Sequence, residues 1–242
     1  MSLKDLLEYR RSVRVYDNEK PIDTDKVRGC LELATLAPNS SNLQLWEFIH
    51  ITDKSYKDAI TDACLGQTAA STADHWVVFV TRQDLHRKRA QFVLNFEKGN
   101  IDRNSPVARK AKRIAVRETY YGKLMPFLYS RCFRLMGVFR WLLVTVMGWF
   151  RPVVREVTET HMRGVAHKSC ALAAQTFMLA MAEKGYDTCP MEGFDSRRVK
   201  RLLNLPNSAK INMIISCGIR KGNEGIWGER CRVPFDEVYK RI

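Results

Sequence analysis

The sequence predicts a globular protein of mixed helix and strand, of the α/β or α+β class. Hydrophobic residues make up 45% of the 242-residue chain and aromatics 10%, too apolar for a disordered protein. Two continuous apolar runs, HWVVFVT (75–81) and AKINMIISCGI (209–219), read as buried strands. Segments with helical periodicity alternate with strands. The length suits one large domain or two small ones, with ~70% of the unfolded surface available for burial.

From the N-terminus, LLEYRRS reads as a short helix ending near Arg11, and VRVYD as a brief extended piece. PIDTDKVRGCLELATLAP reads as a helix. Asp23 or Thr24 can cap it, Val27, Cys30, Leu31, Ala34 and Leu36 roughly follow its period, and Pro38 stops it. WEFIHIT (46–52) is a strand of strong β-formers, and SYKDAITDAC is a short helix. Residues 86–121 are charged and helical. Residues 124–154 are aromatic and apolar, with arginines at 131, 134, 140, 151 and 155. HMRGVAHKSCALAAQTFMLAMAEKGYDTCP carries a long helix whose Ala, Ser and Gly content permits close packing, and Gly185 suits its C-terminal cap. SRRVKRLLNLP is a further short helix. The tail GERCRVPFDEVYKRI leaves the body in extended form and ends in a short helical turn.

The net charge is +14, but it is unevenly placed. Residues 82–163 hold 18 Lys/Arg against 6 Asp/Glu, and the rest of the chain holds 22 against 20. The protein is thus near neutral apart from one basic segment, which argues against a nucleic-acid protein. The seven cysteines are scattered with no CxxC and no histidine at ligand spacing, which argues against a disulfide framework or a metal site. MSLKDLLEYRRS lacks the apolar core of a signal peptide. The apolar run WLLVTVMGWF (141–150) is too short to span a bilayer, which takes ~20 residues. A soluble, cytoplasmic setting is the expectation.

No GxSxG, HExxH, Walker A or GxGxxG motif is present. His50 and His75 fall in strands and read as structural. Three polar constellations stand out. Arg10-Arg11-Ser12-Val13-Arg14 places guanidinium forks and a hydroxyl on one short junction, a pattern suited to phosphate oxygens or to a solvated turn. Ala37-Pro38-Asn39-Ser40-Ser41-Asn42-Leu43-Gln44-Leu45-Trp46 is dense in uncharged hydrogen-bonding groups. Such a run could read the edge of a planar heterocycle, or serve as a polar loop. Arg230-Cys231-Arg232-Val233-Pro234 supplies a second arginine pair.

Taken together with PMEGFD (190–195), the order and spacing of these motifs resemble the FMN-dependent nitroreductase family. The resemblance covers 1–81 and 164–242. It implies an α+β fold with a central, mostly antiparallel sheet flanked by helices, in an intertwined homodimer whose C-terminal extension reaches the other subunit. It also implies one nitroreductase-like domain over 1–242 with a basic, aromatic helical cap at about 82–163. FMN would be the cofactor and NAD(P)H the co-substrate. Hydride would pass through flavin N5 to a small-molecule acceptor of nitroaromatic, quinone or enone type, by a ping-pong route.

By matching position, Arg10, Ser12 and Arg232 would hold the FMN phosphate, with Arg11 beside them. Arg14 and Arg230 would lie nearer the ribityl chain and the flavin edge. Ser40 and Asn42 would come from the partner chain. Gln67 would present its amide to the pyrimidine edge. Pro190, Met191, Glu192 and Gly193 would pack on the isoalloxazine, with the Glu192 or Gly193 N–H donating to N5. The chemistry belongs to the cofactor, so no catalytic side chain is implied and none is found. Leu45 and Asn39 depart from the family pattern and bear on the loop path and substrate contacts.

Family resemblance leaves open a specialised reaction on the same fold, such as flavin fragmentation or reductive dehalogenation. The basic segment admits three readings. It is a helical cap with solvated arginines, a docking surface for an acidic protein or nucleic acid, or a membrane-surface element through 124–154. The last would place the protein peripherally on the inner face of the membrane and could be the function in itself.

Overall fold

The computed structural model describes residues 2–132, 135–226 and 228–242. Phe133 and Arg134, part of the aromatic and basic run, lie outside the described residues. Four antiparallel strands form the sheet: β1 (Trp46–Ile51), β2 (His75–Thr81), β3 (Asp187–Met191) and β4 (Lys210–Gly218), in the order β1-β2-β4-β3. His75 faces Cys217 across the central pair, and Met191 faces Ile214 at the β3 edge.

Both faces of this sheet are covered. Val77, Phe79, Met213, Ile215 and Cys217 pack on helices α2 (Thr24–Ala34) and α9 (Glu159–Glu183) through one core that includes Val27, Leu31, Ala173, Ala174 and Phe177, and α1 (Leu3–Tyr9) lies against α9 with no buried residue of its own. Trp76, Val78, Val80, Ile214 and Met191 pack in a second core on α3 (Lys57–Ala63), α4 (Thr68–Ser71) and α10 (Ser196–Leu202). Alternate residues of β2 therefore serve opposite cores. This is why an antiparallel strand reads as an unbroken apolar run.

The sequence marks these helices with real caps. The Asp23 carboxylate accepts from the N–H groups of Asp25 and Lys26, and the Thr158 hydroxyl accepts from His161 N at 3.2 Å. Gly185 adopts φ +74° just past α9, the left-handed cap its position implied. The strand β3 was not expected. Its Asp, Thr and Pro hide any strand period, and Pro190 is tolerated because β3 is an edge.

The basic segment forms α5 (His86–Asn104), α6 (Val107–Arg117), a π-helical turn at Glu118–Leu124, α7 (Met125–Tyr129) and α8 (Leu135–Met147). Helices α5 and α7 and the π-helical turn share a third core with the 43–45 loop and α9, made of Leu43, Leu45, Val93, Leu94, Tyr121, Met125, Tyr129 and Met162. One expectation fails here. Arg140 is not solvated but 1% exposed, and its guanidinium donates to the carbonyls of Val157 (2.8 Å), Phe127 (2.7 Å) and Ser130 (3.0 Å). Among the described residues, no helix is long and apolar enough to cross a membrane. The last helix, α11 (Phe235–Val238), sits in a fully exposed tail.

Candidate functional site

The RRSVR stretch leaves α1 and runs beside β3. Ser12 bridges Thr188 in parallel, and Val13 N donates to the Thr188 carbonyl at 3.2 Å. Val13 is fully buried, so the alternation of an extended chain turns Ser12 and Arg14 outward. The junction is anchored by Asp187, 2% exposed, whose carboxylate accepts from Arg220 Nε at 2.9 Å and Arg220 N at 2.8 Å. Arg220 in turn donates to the Tyr9 carbonyl at 3.1 Å.

The segment after β4 folds back over this stretch. Arg14 N donates to the Gly225 carbonyl at 2.9 Å, and a Cβ at 225 would lie 2.6 Å from the Val15 carbonyl oxygen. Only glycine permits that approach. The result is an open basin of about 450 Å³ lined by Arg10, Arg11, Ser12, Arg14, Arg230 and Arg232, with Glu229 as its single carboxylate. More than 200 residues of sequence separate the two arginine groups, and the fold brings all six expected residues together.

Two of the arginines are tied to backbone. Arg230 donates to the carbonyls of Leu7 (2.7 Å), Glu8 (3.1 Å) and Arg10 (2.7 Å), which closes the C-terminal end of α1. Arg11 donates to the Gly228 carbonyl at 3.0 Å. Among the described residues the Arg10 and Arg14 guanidinium groups have no protein acceptor, and Arg232 bonds only its neighbour's carbonyl. Burial, together with the Arg230 and Arg232 charges, holds the Arg10 pKa below its ordinary value. Such crowding of like charge is relieved by a bound anion. The buried Cys189 thiol is pushed up by its surroundings and drawn back by the charges of Arg14 and Arg10, which places those charges beside β3.

At the end of β3 the Gln67 amide donates to the Gly193 carbonyl at 2.7 Å and to the Cys64 carbonyl at 3.0 Å. Gln67 thereby fixes the turn that follows the strand. The N–H groups of Glu192 and Gly193 donate to no protein acceptor among the described residues. Met191 is 2% exposed and belongs to the core, so only its backbone reaches this turn. Pro190 is half-buried.

Ser40 and Asn42 lie elsewhere in the chain, on a strained loop. Ser41, Asn42 and Gln44 all take positive φ, 54°, 51° and 48°, costly for residues with side chains. The loop is held by the cap. The Ser41 hydroxyl pairs with Tyr120 at 2.7 Å, Tyr121 donates to the Ser41 carbonyl at 3.2 Å, and Ser40 N donates to Ser169 at 3.2 Å. Ser40 and Ser41 also line an apolar cavity of about 430 Å³ walled by Tyr120, Leu128, Val144, Met147 and Val157. It shares no lining residue with the arginine basin.

Sequence reasoning missed Gly225, Glu229, Tyr120 and Gln67's partner carbonyl. No residue pattern marked Gly225, because the Val15 backbone that crowds it lies some 210 residues away in sequence. Among the described residues, no group of three His, Cys, Asp or Glu side chains gathers as a metal site.

The profile described as "Nitroreductase family" matches residues 7–219. MhqN of Bacillus subtilis, which carries an NAD(P)H nitroreductase name, is 24% identical over 216 residues, 89% of this chain and 87% of its own. The solved structure of Bacillus subtilis YdfN superposes with a TM-score of 0.72 at 22% identity, over 99% of this chain and 98% of its own. A nitroreductase-type protein from Exiguobacterium sibiricum, solved in complex with FMN, gives a TM-score of 0.69 at 18% identity, over 100% and 98%. Matched over most of its length by sequence and in fold, this chain belongs to the nitroreductase family.

Proposed function

We propose that the protein is an NAD(P)H-dependent FMN oxidoreductase that reduces a small-molecule acceptor as a homodimer. The observation that carries this reading is the convergence of Arg10, Arg11, Ser12, Arg14, Arg230 and Arg232 on one basin. Five guanidinium groups around a single carboxylate suit an anion, and family membership supports the FMN phosphate as that anion. Arg10 and Arg232 would hold the phosphate with the Ser12 hydroxyl and Arg11, by charge-assisted bonds. Arg230 is a positioning residue that shapes the wall, and Arg14 extends the positive field toward β3.

The exposed N–H groups of Glu192 and Gly193 are donors for the ring edge, held by Gln67. When bound, FMN would supply the hydride-carrying chemistry between NAD(P)H and the acceptor. The protein's contribution is position and field. With Arg10, Arg11 and Arg232 matched to the phosphate and Arg230 tied to backbone, Arg14 would be the charge left to favour the more negative, reduced ring and so raise its potential.

One chain offers only half of such a site. Ser40 and Asn42 sit away from the basin, which supports their delivery by a second copy. The tail supports the same reading. Val233, Phe235, Val238 and Tyr239 are at least 49% exposed, an apolar strip without cover among the described residues. The apolar cavity beside Ser40 suits a planar aromatic, quinone or enone acceptor.

The test is anaerobic stopped-flow reduction of the FMN-loaded protein. The flavin absorbance should bleach with NADH or NADPH, and recover on adding a nitroaromatic, quinone or enone, with parallel-line ping-pong kinetics. A loaded protein that neither nucleotide reduces would refute the reading.

A further inference from the structure

Helix α8 contains one charged side chain, Arg140. That charge faces inward onto three carbonyl oxygens and over the Phe127 ring. Gly137 presses the same side against the start of α9, where an added Cβ would come within 2.8 Å of Glu159 N. The inner side is thus fixed to the body. The opposite side carries Leu135, Val138, Phe139, Trp141, Leu142, Leu143 and Val146, each at least 41% exposed. At 100° per residue they occupy one half of the helix. Trp149 (73% exposed) and Phe150 (82%) extend this face past the helix end. None of these side chains is charged, and a monomer rarely leaves so large an apolar face to water.

Arg131, Arg151 and Arg155 flank α8 in sequence and are exposed; Arg155 lies against Gly148 at the helix end, Arg151 borders the apolar cavity, and none forms an ion pair among the described residues. They belong to the segment with 18 basic and 6 acidic residues. We propose that α8 and the turn at 149–155 seat the protein on an anionic lipid surface. The apolar half, with its two tryptophans, enters the headgroup boundary, and the exposed arginines that flank the helix meet lipid phosphates. With 13 residues, α8 lies in the plane of the interface and does not cross it. A second copy is the weaker occupant, because an isologous contact through this face would bring together two copies of a segment that carries 18 basic and 6 acidic residues. The inner side of α8, at Val144 and Met147, walls the apolar cavity. The helix thus stands between a lipid surface and a chamber suited to a lipid-soluble acceptor. The docking itself does not depend on the flavin reading.

The full-length protein should co-sediment with vesicles containing phosphatidylglycerol, and about tenfold less with phosphatidylcholine alone. Added salt should weaken the binding. Replacing Trp149→Ser and Phe150→Ser, both on the surface, should lower vesicle binding by about tenfold with the melting temperature unchanged. Brominated lipid should quench tryptophan emission in the parent protein and much less in that variant. No sedimentation with anionic vesicles at low salt, or equal binding by the variant, would overturn the proposal. So would an oligomer that W149S/F150S dissociates, since a second copy would then own the face.

Discussion

The Arg230 guanidinium donates to the carbonyl oxygen of Arg10 at 2.7 Å. The C-terminal segment therefore closes the basin that the N-terminal helix opens, and the same side chain caps α1 at Leu7 and Glu8. Arg230→Lys keeps the charge but cannot keep a planar fork on three carbonyls. The expected loss is about 1–2 kcal/mol of stability, with weaker FMN retention. Thermal melting and FMN titration of the variant check both, and unchanged values in both would refute the positioning role.

Gly225 approaches Val15 so closely that Gly225→Ala must push the two segments apart. Overpacking of this kind costs about 1–3 kcal/mol. The variant should melt lower and bind FMN more weakly, because the arginines on either side of the contact separate. Calorimetry with and without FMN would show it. A variant as stable as the parent would contradict the close packing.

Gln67 is the only side chain described here that bonds the Gly193 carbonyl. Gln67→Ala should free the turn after β3 at about 1 kcal/mol, while the phosphate basin stays intact. FMN affinity should fall less than in an Arg10→Ala variant. The flavin midpoint potential should shift, which a purely structural role would not produce. Spectroelectrochemistry of the loaded proteins reads this directly.

His50 Nε2 faces His75 Nδ1 at 3.2 Å. Burial, with the His75 charge, lowers the His50 pKa from 6.5 to about 4. Burial also lowers that of His75, against the pull of Asp74. The unfolded ring takes a proton near its ordinary pKa, whereas the folded ring resists until far lower. The unfolded state thus binds more protons in that window, and stability falls as the pH drops below about 6.5 toward 4. Urea midpoints should be level above pH 7 and decline below it. His50→Gln should remove part of the decline, about 1 kcal/mol at pH 5 after solvent screening. An unchanged slope would remove the pair from the account.

The strands β2 and β4 and the helices α2 and α9 were legible because burial leaves periodic or continuous apolar runs. Strand β3 was not, since five residues containing Asp187, Thr188 and Pro190 carry no period. Nor was the burial of Asp187 with Arg220, or of Arg140, because a charged letter in a sequence does not say whether carbonyls await it. At the site, the arginine motifs were visible as types and spacing. Their convergence depends on a parallel bridge from Ser12 to Thr188 and on the crossing at Gly225, both long-range. The left-handed loop at Ser41, Asn42 and Gln44 is held both by the distant Tyr120 and Tyr121, which bond Ser41, and by the local bond from Gln44 N to the Asn39 side chain, and only the local part lies within reach of the sequence.

The central claim is that the arginine basin holds the phosphate of FMN, and riboflavin lacks only that phosphate. Titration of the apoprotein with each, by quenching of flavin fluorescence, isolates the contribution. Charge-assisted bonds from several arginines predict that FMN binds at least about a hundredfold more tightly than riboflavin. In the Arg10→Ala/Arg232→Ala variant this preference should shrink to a few-fold while riboflavin binding holds. Equal affinities in the parent protein, or a preference that survives in the variant, would contradict the account.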